Sequence, residues 1–244
     1  MSLGKFLKSH LRGWAILFGM LLLTWFALGV LADRFVDQLP DDFTTAIFSQ
    51  TVLPEGTAPP PKLLKDAFNK IIEGSEKRNL NYEIYLIKSD FVNAYVEPGG
   101  KIFITSKLHE SINSEIGLAM VIAHELGHLQ FRDGMRQTAR RILLAGVVYG
   151  ISDISLVGTG ILGLSFSFFE IKYSRIQEKR ADLFALKLVK EKYGTLGDAF
   201  EFYYNIHNNS VQESPQRKGS WLSTHPAPRD RIEYLEKAAR QAQN

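Results

Sequence analysis

Val121-Ile122-Ala123-His124-Glu125-Leu126-Gly127-His128-Leu129 is the stretch on which the fold turns. Its apolar residues recur at helical spacing, and a helix projects residues four apart from one face. His124 and His128 can therefore present a ring nitrogen each to one point, with Glu125 close beside them. Neutral imidazoles suit a borderline cation such as zinc. The other reading is a helix that merely carries two polar-face histidines. Apolar residues on both sides weigh against it, because an unpaired His or Glu is expensive to bury there. Gly127 costs about 0.5–1 kcal/mol relative to Ala inside a helix, which suggests that a second backbone approaches closely at that point.

Zinc in a catalytic site takes three protein ligands and leaves one position open. The chain has no cysteine, so any ligand must be a histidine or a carboxylate, and a disulfide framework, a thiolate zinc site and a cysteine nucleophile are all excluded. Glu178-Lys179-Arg180-Ala181-Asp182 puts two carboxylates four apart on one helix face. Ala181 and Ala185 make that helix slim enough to pack closely. Glu178 is the candidate third ligand, and Asp182 is the candidate partner for the outer nitrogen of a ligand histidine. Ordinary solvated surface is the alternative for such a pair. Glu170, Glu191 and Glu201 lack a carboxylate four residues on.

His225-Pro226 sits in a loop before the last helical stretch, with Arg231 six residues later. A His or Arg aimed at a tetrahedral oxyanion would stabilise the transition state of amide hydrolysis. Taken alone, such a loop histidine is more often an exposed residue or a helix-cap neighbour. His10, His109 and His207 have no partner pattern and read as surface or packing residues.

The 244 residues are 45% hydrophobic and 23% charged, which leaves room for one globular domain plus additional segments. A net charge of +3, with no clustered Arg/Lys stripe, excludes a nucleic-acid footprint. From Gly13 to Ala32 only Thr24 interrupts an apolar run. About 20 helical residues at 1.5 Å each match the roughly 30 Å hydrocarbon core of a bilayer. Lys5, Lys8 and Arg12 precede the run, while Asp33, Asp37, Asp41 and Asp42 follow it against Arg34 alone. The positive-inside rule then puts residues 1–12 in the cytoplasm and everything after Ala32 outside, periplasmic if the source is bacterial. A cleaved signal peptide ending near Ala32 is the alternative, and it too exports the domain.

Residues 33–62 read as a juxtamembrane segment and a proline-rich linker, with Pro54, Gly56 and Pro59-Pro60-Pro61 between Ser49 and Lys62. Residues 63–244 read as the folded domain. Leu63, Leu64, Ala67, Phe68, Ile71 and Ile72 predict an amphipathic helix up to about Arg78. Tyr82–Ile87, Phe91–Val96 and Lys101–Thr105 read as strands of a small antiparallel sheet, with turn residues at Glu97-Pro98-Gly99-Gly100. Helices follow after Ser106 through Phe131, then over about 170–192, 196–206 and from Ala227 to the C-terminus. There is no internal repeat.

The chain resembles the HtpX-like and CAAX-prenyl-endopeptidase family of membrane-associated gluzincins. Four separated matches carry the resemblance: Asn93-Ala94-Tyr95 with Gly99-Gly100-Lys101-Ile102-Phe103-Ile104-Thr105, then His124 to His128, then Glu178 with Asp182, then Ser223-Thr224-His225-Pro226 with Arg231. They cover most of Leu63 to Leu235. The resemblance implies an α+β, mainly helical zincin-type domain with a small antiparallel sheet, preceded here by one N-terminal transmembrane helix. It implies one zinc ion on His124, His128 and Glu178, Glu125 as general base, Asp182 behind the first ligand, and His225 assisting the oxyanion. It also makes Asn93, Ala94 and Tyr95 the edge strand beside the cleft, where a protein or peptide substrate could add as a further strand. Lys107, where the family often has Gly, and a single N-terminal span depart from the pattern. The second departure speaks against a prenylated substrate.

Residues 142–169 form a second long apolar stretch. One crossing would separate His128 from Glu178, and two crossings need about 40 residues plus a turn. Asp153 and five glycines also argue against a simple span. A short helical hairpin that packs over the site or dips into the near leaflet is expected, or else a buried hairpin without lipid contact. The function expected is that of a membrane-anchored zinc endopeptidase acting on exported or membrane-associated proteins, in a quality-control role. A chaperone-like binding module is the alternative, favoured if His225 fills the fourth position at the metal. Oligomeric state is left open.

Overall fold

The computed structural model describes residues 3–48, 52–73, 78–149, 172–209, 220–225 and 228–241. They fall into two compact units, one within Met1–Leu39 and Arg136–Gly163, the other within Pro40–Met135 and Leu164–Asn244.

The first unit is built on α1, Leu3–Gln38, whose apolar part Gly13–Gln38 runs for 26 residues. Phe18, Leu23 and Phe26 are 63%, 72% and 67% exposed. A core helix would bury them, so this is a helix consistent with one membrane span. Its other described part is α6, Asp133–Tyr149, from Arg136 on. From Gly150 to Ile171 the apolar segment expected as a hairpin lies outside the described residues, and residues 142–149 close α6.

The second unit is mainly helical with one small sheet. Its centre is α5, Glu115–Gln130, buried on every side from Gly117 to Leu129. A helix enclosed all round needs apolar neighbours all round. They come from α3 (Lys62–Ile72), α7 (Arg175–Tyr193) and the sheet, through side chains such as Leu64, Ile71, Ile104, Ala185 and Val189. Ser114 begins α5 as its N-cap, its hydroxyl accepting from the Gly117 N–H at 2.9 Å. At the expected close approach, a Cβ on Gly127 would stand 2.9 Å from Ala181 Cα and 3.1 Å from its carbonyl oxygen. The metal-motif helix and the Glu178 helix therefore meet backbone to backbone.

Strand order is β1 (Thr57–Ala58), β2 (Glu83–Ile87), β4 (Lys101–Thr105), β3 (Ala94–Val96). The two outer pairings are antiparallel, Thr57 opposite Ile87 and Ala94 opposite Ile104. The central pairing of β2 with β4 is parallel, Glu83 opposite Lys101 through Ile87 opposite Thr105. The Glu97–Gly100 turn sets β3 on one side of β4 and leaves the other side to β2, which reaches it by a crossover with no local turn signal. Gly100 turns the chain at φ 104°, and any Cβ there would meet Asn81 O at 2.6 Å.

Several boundaries move. Where a juxtamembrane segment and linker are expected, α1 continues to Gln38, α2 occupies Asp41–Phe48, and Thr57–Ala58 pairs as β1. Helix α3 stops at Ile72, and Arg78 instead turns its guanidinium to Asp41 and to the Leu129 carbonyl. Helix α7 starts at Arg175, because Ser174 and Gln177 close a reciprocal capping box there. Gly194, at φ 70°, ends it. A 3-10 turn (Gly197–Phe200), α8 (Glu201–Asn209), α9 (Trp221–Thr224) and α10 (Pro228–Gln241) complete the unit.

Candidate metal centre

Helix α5 supplies His124 and His128, whose Nε2 atoms lie 3.1 Å apart. Helix α7 supplies Glu178, with Oε1 3.4 Å from His128 Nε2 and Oε2 3.7 Å from His124 Nε2. The segment after α9 supplies His225, its Nδ1 3.3 Å from His124 Nε2 and 2.9 Å from Glu178 Oε1. One donor atom from each of the four lies within 4.8 Å of the others, and all four residues are buried. Three elements far apart in sequence thus converge on one point.

Each histidine on α5 is held from behind by a carboxylate. Asp182 Oδ1 accepts from His124 Nδ1 at 2.9 Å, and Asp133 Oδ2 accepts from His128 Nδ1 at 3.0 Å. With Nδ1 occupied, both Nε2 lone pairs face the common centre. Stacking fixes the rings as well: Tyr173 lies over His128 at 3.7 Å and 9°, and Trp221 over His225 at 3.8 Å and 18°.

Arg231 ties the carboxylates together. It reaches Asp182 from Nε at 2.8 Å and from Nη2 at 2.7 Å, and its Nη1 is 2.5 Å from Glu178 Oε2. Tyr203 donates to Asp182 at 2.8 Å, and Tyr234 donates to the same carboxylate. Burial alone would push Glu178 up; Arg231 and His225 instead hold it well below the ordinary carboxylate range. Asp182 is likewise depressed, burial being outweighed by Arg231 and His124. Both remain anionic.

Glu125 is the contrast. Neither of its oxygens has a hydrogen-bond partner among the described residues, and His225 Nε2 lies 3.7 Å from Oε1. Burial pushes Glu125 up to about 7, against the pull of His128. Its pKa therefore suits a group that takes and returns a proton near neutrality.

The residues fit a single zinc ion. Burial lowers His124, and it lowers His225 to about 3, so both imidazoles are neutral and free to donate a lone pair. Burial lowers His128 too, yet the hydrogen bonds it donates to Asp133 and Glu178 raise it to about 9. The centre is thus organised around a positive charge at His128 Nε2, where a proton and a metal cation compete.

The sequence profile of Peptidase family M48 matches residues 61–239, well over half of the chain. The chain belongs to peptidase family M48. It is 28% identical over 177 residues to the mitochondrial metalloendopeptidase OMA1 of Schizosaccharomyces pombe, covering 71% of this chain and 51% of that one. The mitochondrial metalloendopeptidase OMA1 of Homo sapiens is 24% identical over 185 residues, 71% of this chain and 35% of that one. The beta-barrel assembly-enhancing protease of Yersinia pestis is 24% identical over 186 residues, 71% and 37% respectively. The match spans about half or less of these relatives.

The fold brings His124, Glu125, His128, Glu178, Asp182, His225 and Arg231 into one buried cluster around the four possible metal donors. Asn93 and Ala94–Val96 lie at the sheet edge, with β4 as the strand paired to β3 among the described residues. The Trp221 N–H donates to the Val92 carbonyl at 2.8 Å and so ties α9 to the chain entering that edge. Three contributors went unread in the sequence. Asp133 lies just past α5, and the left-handed Arg132, φ 55°, swings it back to His128. Tyr173 and Trp221 carry no spacing signal, beyond being an aromatic shortly before each ligand-bearing segment.

Proposed function

We propose that this M48 peptidase is a membrane-anchored zinc endopeptidase that cleaves exported or membrane-associated proteins in a quality-control role. The observation that carries the reading is Glu125, a buried carboxylate without a hydrogen-bond partner among the described residues, set beside a His/His/Glu donor cluster. A structural zinc site has no use for such a group.

His124, His128 and Glu178 would hold the ion. When bound, zinc acidifies a water molecule toward a pKa of ~7 and polarises the scissile carbonyl. Glu125 takes the water proton and passes it to the leaving amine. Asp182, with Arg231 behind it, keeps His124 in the ligating tautomer. His225, neutral and stacked on Trp221, assists the oxyanion. In this reading the substrate backbone adds as a further strand along Asn93-Ala94-Tyr95 of β3. The metalloendopeptidase and protease names of the relatives support the reaction class, and the name of the Yersinia pestis relative supports substrates among membrane-destined proteins. The charge bias around Gly13–Ala32 supports a cytoplasmic N-terminus and a catalytic domain outside.

One observation favours a second reading. His225 Nδ1 stands among the donors, 2.9 Å from Glu178 Oε1, where it can occupy the fourth position and leave no room for water. The protein would then hold clients as a binding module. Glu125→Gln with a casein-like unfolded substrate separates the two. Zinc content unchanged with cleavage lost is the expected result; a wild type that cleaves nothing, or a variant that cleaves equally, removes the enzyme reading.

A further inference from the structure

Asp33 and Asp37 stand one helical turn apart near the end of α1, and Arg136 and Arg140 stand one turn apart in α6. Arg136 Nη2 lies 2.5 Å from Asp37 Oδ1. Arg140 grips Asp33 with both arms of its fork, Nε at 3.0 Å from Oδ1 and Nη2 at 2.5 Å from Oδ2. Numbers rise along one helix as they fall along the other, so α1 and α6 are antiparallel here. A Cβ on Gly29, one turn further along α1, would lie 3.9 Å from Arg140 Nε, so the contact continues past the second ion pair.

This register has a consequence for depth. Both helices advance about 1.5 Å per residue, so Leu143 falls level with Val30, Val147 with Phe26, and Tyr149 with Thr24. Those α1 positions lie inside the apolar stretch Gly13–Gln38, where Val30, Phe26 and Leu31 are exposed. Residues 142–149 of α6 read Ile-Leu-Leu-Ala-Gly-Val-Val-Tyr, without a charged or strongly polar side chain. A helix of that composition, running beside a membrane span at the same depth, meets the same solvent as the span. Where the helices face each other, Asp33 and Asp37 of α1 meet Arg140 and Arg136 of α6, while the level stretches 24–30 and 143–149 carry no charged residue. Bidentate Arg–carboxylate pairing is a strong, geometrically specific form of charge neutralisation.

We propose that α6 enters the bilayer beside α1 over residues 142–149, as a second membrane-embedded element whose register is fixed by Asp33–Arg140 and Asp37–Arg136 at the boundary. Its partner is the acyl region of a phospholipid bilayer. The proposal rests on the reading of α1 as a membrane span.

The chain has no cysteine, so single cysteines can be labelled cleanly in the full protein reconstituted into phosphatidylcholine/phosphatidylglycerol vesicles. An environment-sensitive fluorophore is placed in turn at Phe26→Cys, Leu143→Cys, Val147→Cys and Gln137→Cys, and is quenched by acyl-chain nitroxide lipid or by aqueous iodide. Positions 26, 143 and 147 should be quenched by the nitroxide to within about twofold of one another, and position 137 by iodide. Nitroxide quenching at 26 with iodide quenching, or no quenching by either agent, at 143 and 147 overturns the proposal and leaves the anchor intact. Iodide quenching at 26 overturns the anchor itself. Register is read separately by oxidation of double variants: Asp33→Cys with Arg140→Cys should cross-link, and Asp33→Cys with Arg136→Cys should not; the reverse pattern overturns the antiparallel pairing. Casein hydrolysis measured in the same vesicles reports on the endopeptidase reading independently of depth.

Discussion

The carboxylate of Asp133 stands 3.0 Å from Nδ1 of His128, and its other oxygen accepts from Gln177 at 3.0 Å and from Arg180 at 2.5 Å. Asp133 thus connects the end of the metal-motif helix with the start of the Glu178 helix. Removing its charge should loosen His128 without touching a ligand. Asp133→Asn should weaken zinc binding by ~10–100-fold, the usual cost of losing a carboxylate behind a ligand histidine. Competition with a chromophoric chelator reads this directly; affinity equal to wild type would show that His128 needs no such support.

Gly127 predicts a stability effect. Ala is the better helix former by about 1 kcal/mol, so Gly127→Ala would stabilise an open helix. Here the new methyl would sit 2.9 Å from Ala181 Cα, and backbone cannot swing away as a side-chain tip can. Helices α5 and α7 must part, and overpacking of this kind costs about 1–3 kcal/mol. Thermal denaturation should show a lowered Tm, and chelator competition a lowered zinc affinity, since the same displacement separates His128 from Glu178. A raised Tm would mean that the two helices yield freely.

How much of this was legible depends on whether a contact lies within one element. His124 with His128, and Glu178 with Asp182, sit four apart on single helices, so periodicity alone places each pair on a face. Gly127 and Ala181 also read correctly, because a costly glycine and a small residue are local facts. Asp133 was not legible: its approach to His128 depends on one left-handed residue, Arg132, that carries a full side chain. The parallel β2–β4 pairing left no trace because a crossover, unlike the Glu97–Gly100 turn, has no local signature. The Asp33–Arg140 and Asp37–Arg136 pairs join residues about a hundred positions apart, beyond the reach of any local pattern.

Glu201 predicts a pH effect away from the metal. Its Oε1 accepts from the Asn113 N–H at 2.7 Å, and its Oε2 accepts from the Ser114 N–H at 3.0 Å and the Ser114 hydroxyl at 2.5 Å, fastening the residue that caps α5. Burial opposes ionisation of Glu201, but the bonds from Ser114 and Asn113 win and lower its pKa from 4.5. A carboxylate depressed in the folded state adds stability that is fully present above its unfolded pKa and is lost as pH falls through the folded one. Glu201→Gln should therefore lower Tm at neutral pH, and the gap to wild type should close as the solution is acidified below pH 4.5. A gap that stays constant down to strongly acid pH would show that the carboxylate charge is irrelevant.

His225 decides between assisting the reaction and blocking it. The ring is neutral, stacked on Trp221, and within 3.7 Å of Glu125 and 2.9 Å of Glu178. A donor lost from an oxyanion site typically lowers kcat by ~10²–10³-fold with little change in KM. His225→Ala should show that pattern with zinc content unchanged, because His124, His128 and Glu178 keep their own supports in Asp182, Asp133 and Arg231. If His225 instead fills the fourth position, the same variant opens that position to water, and casein cleavage should rise. The two outcomes have opposite signs, so one steady-state comparison on purified, zinc-loaded protein separates an assisting histidine from a closing one.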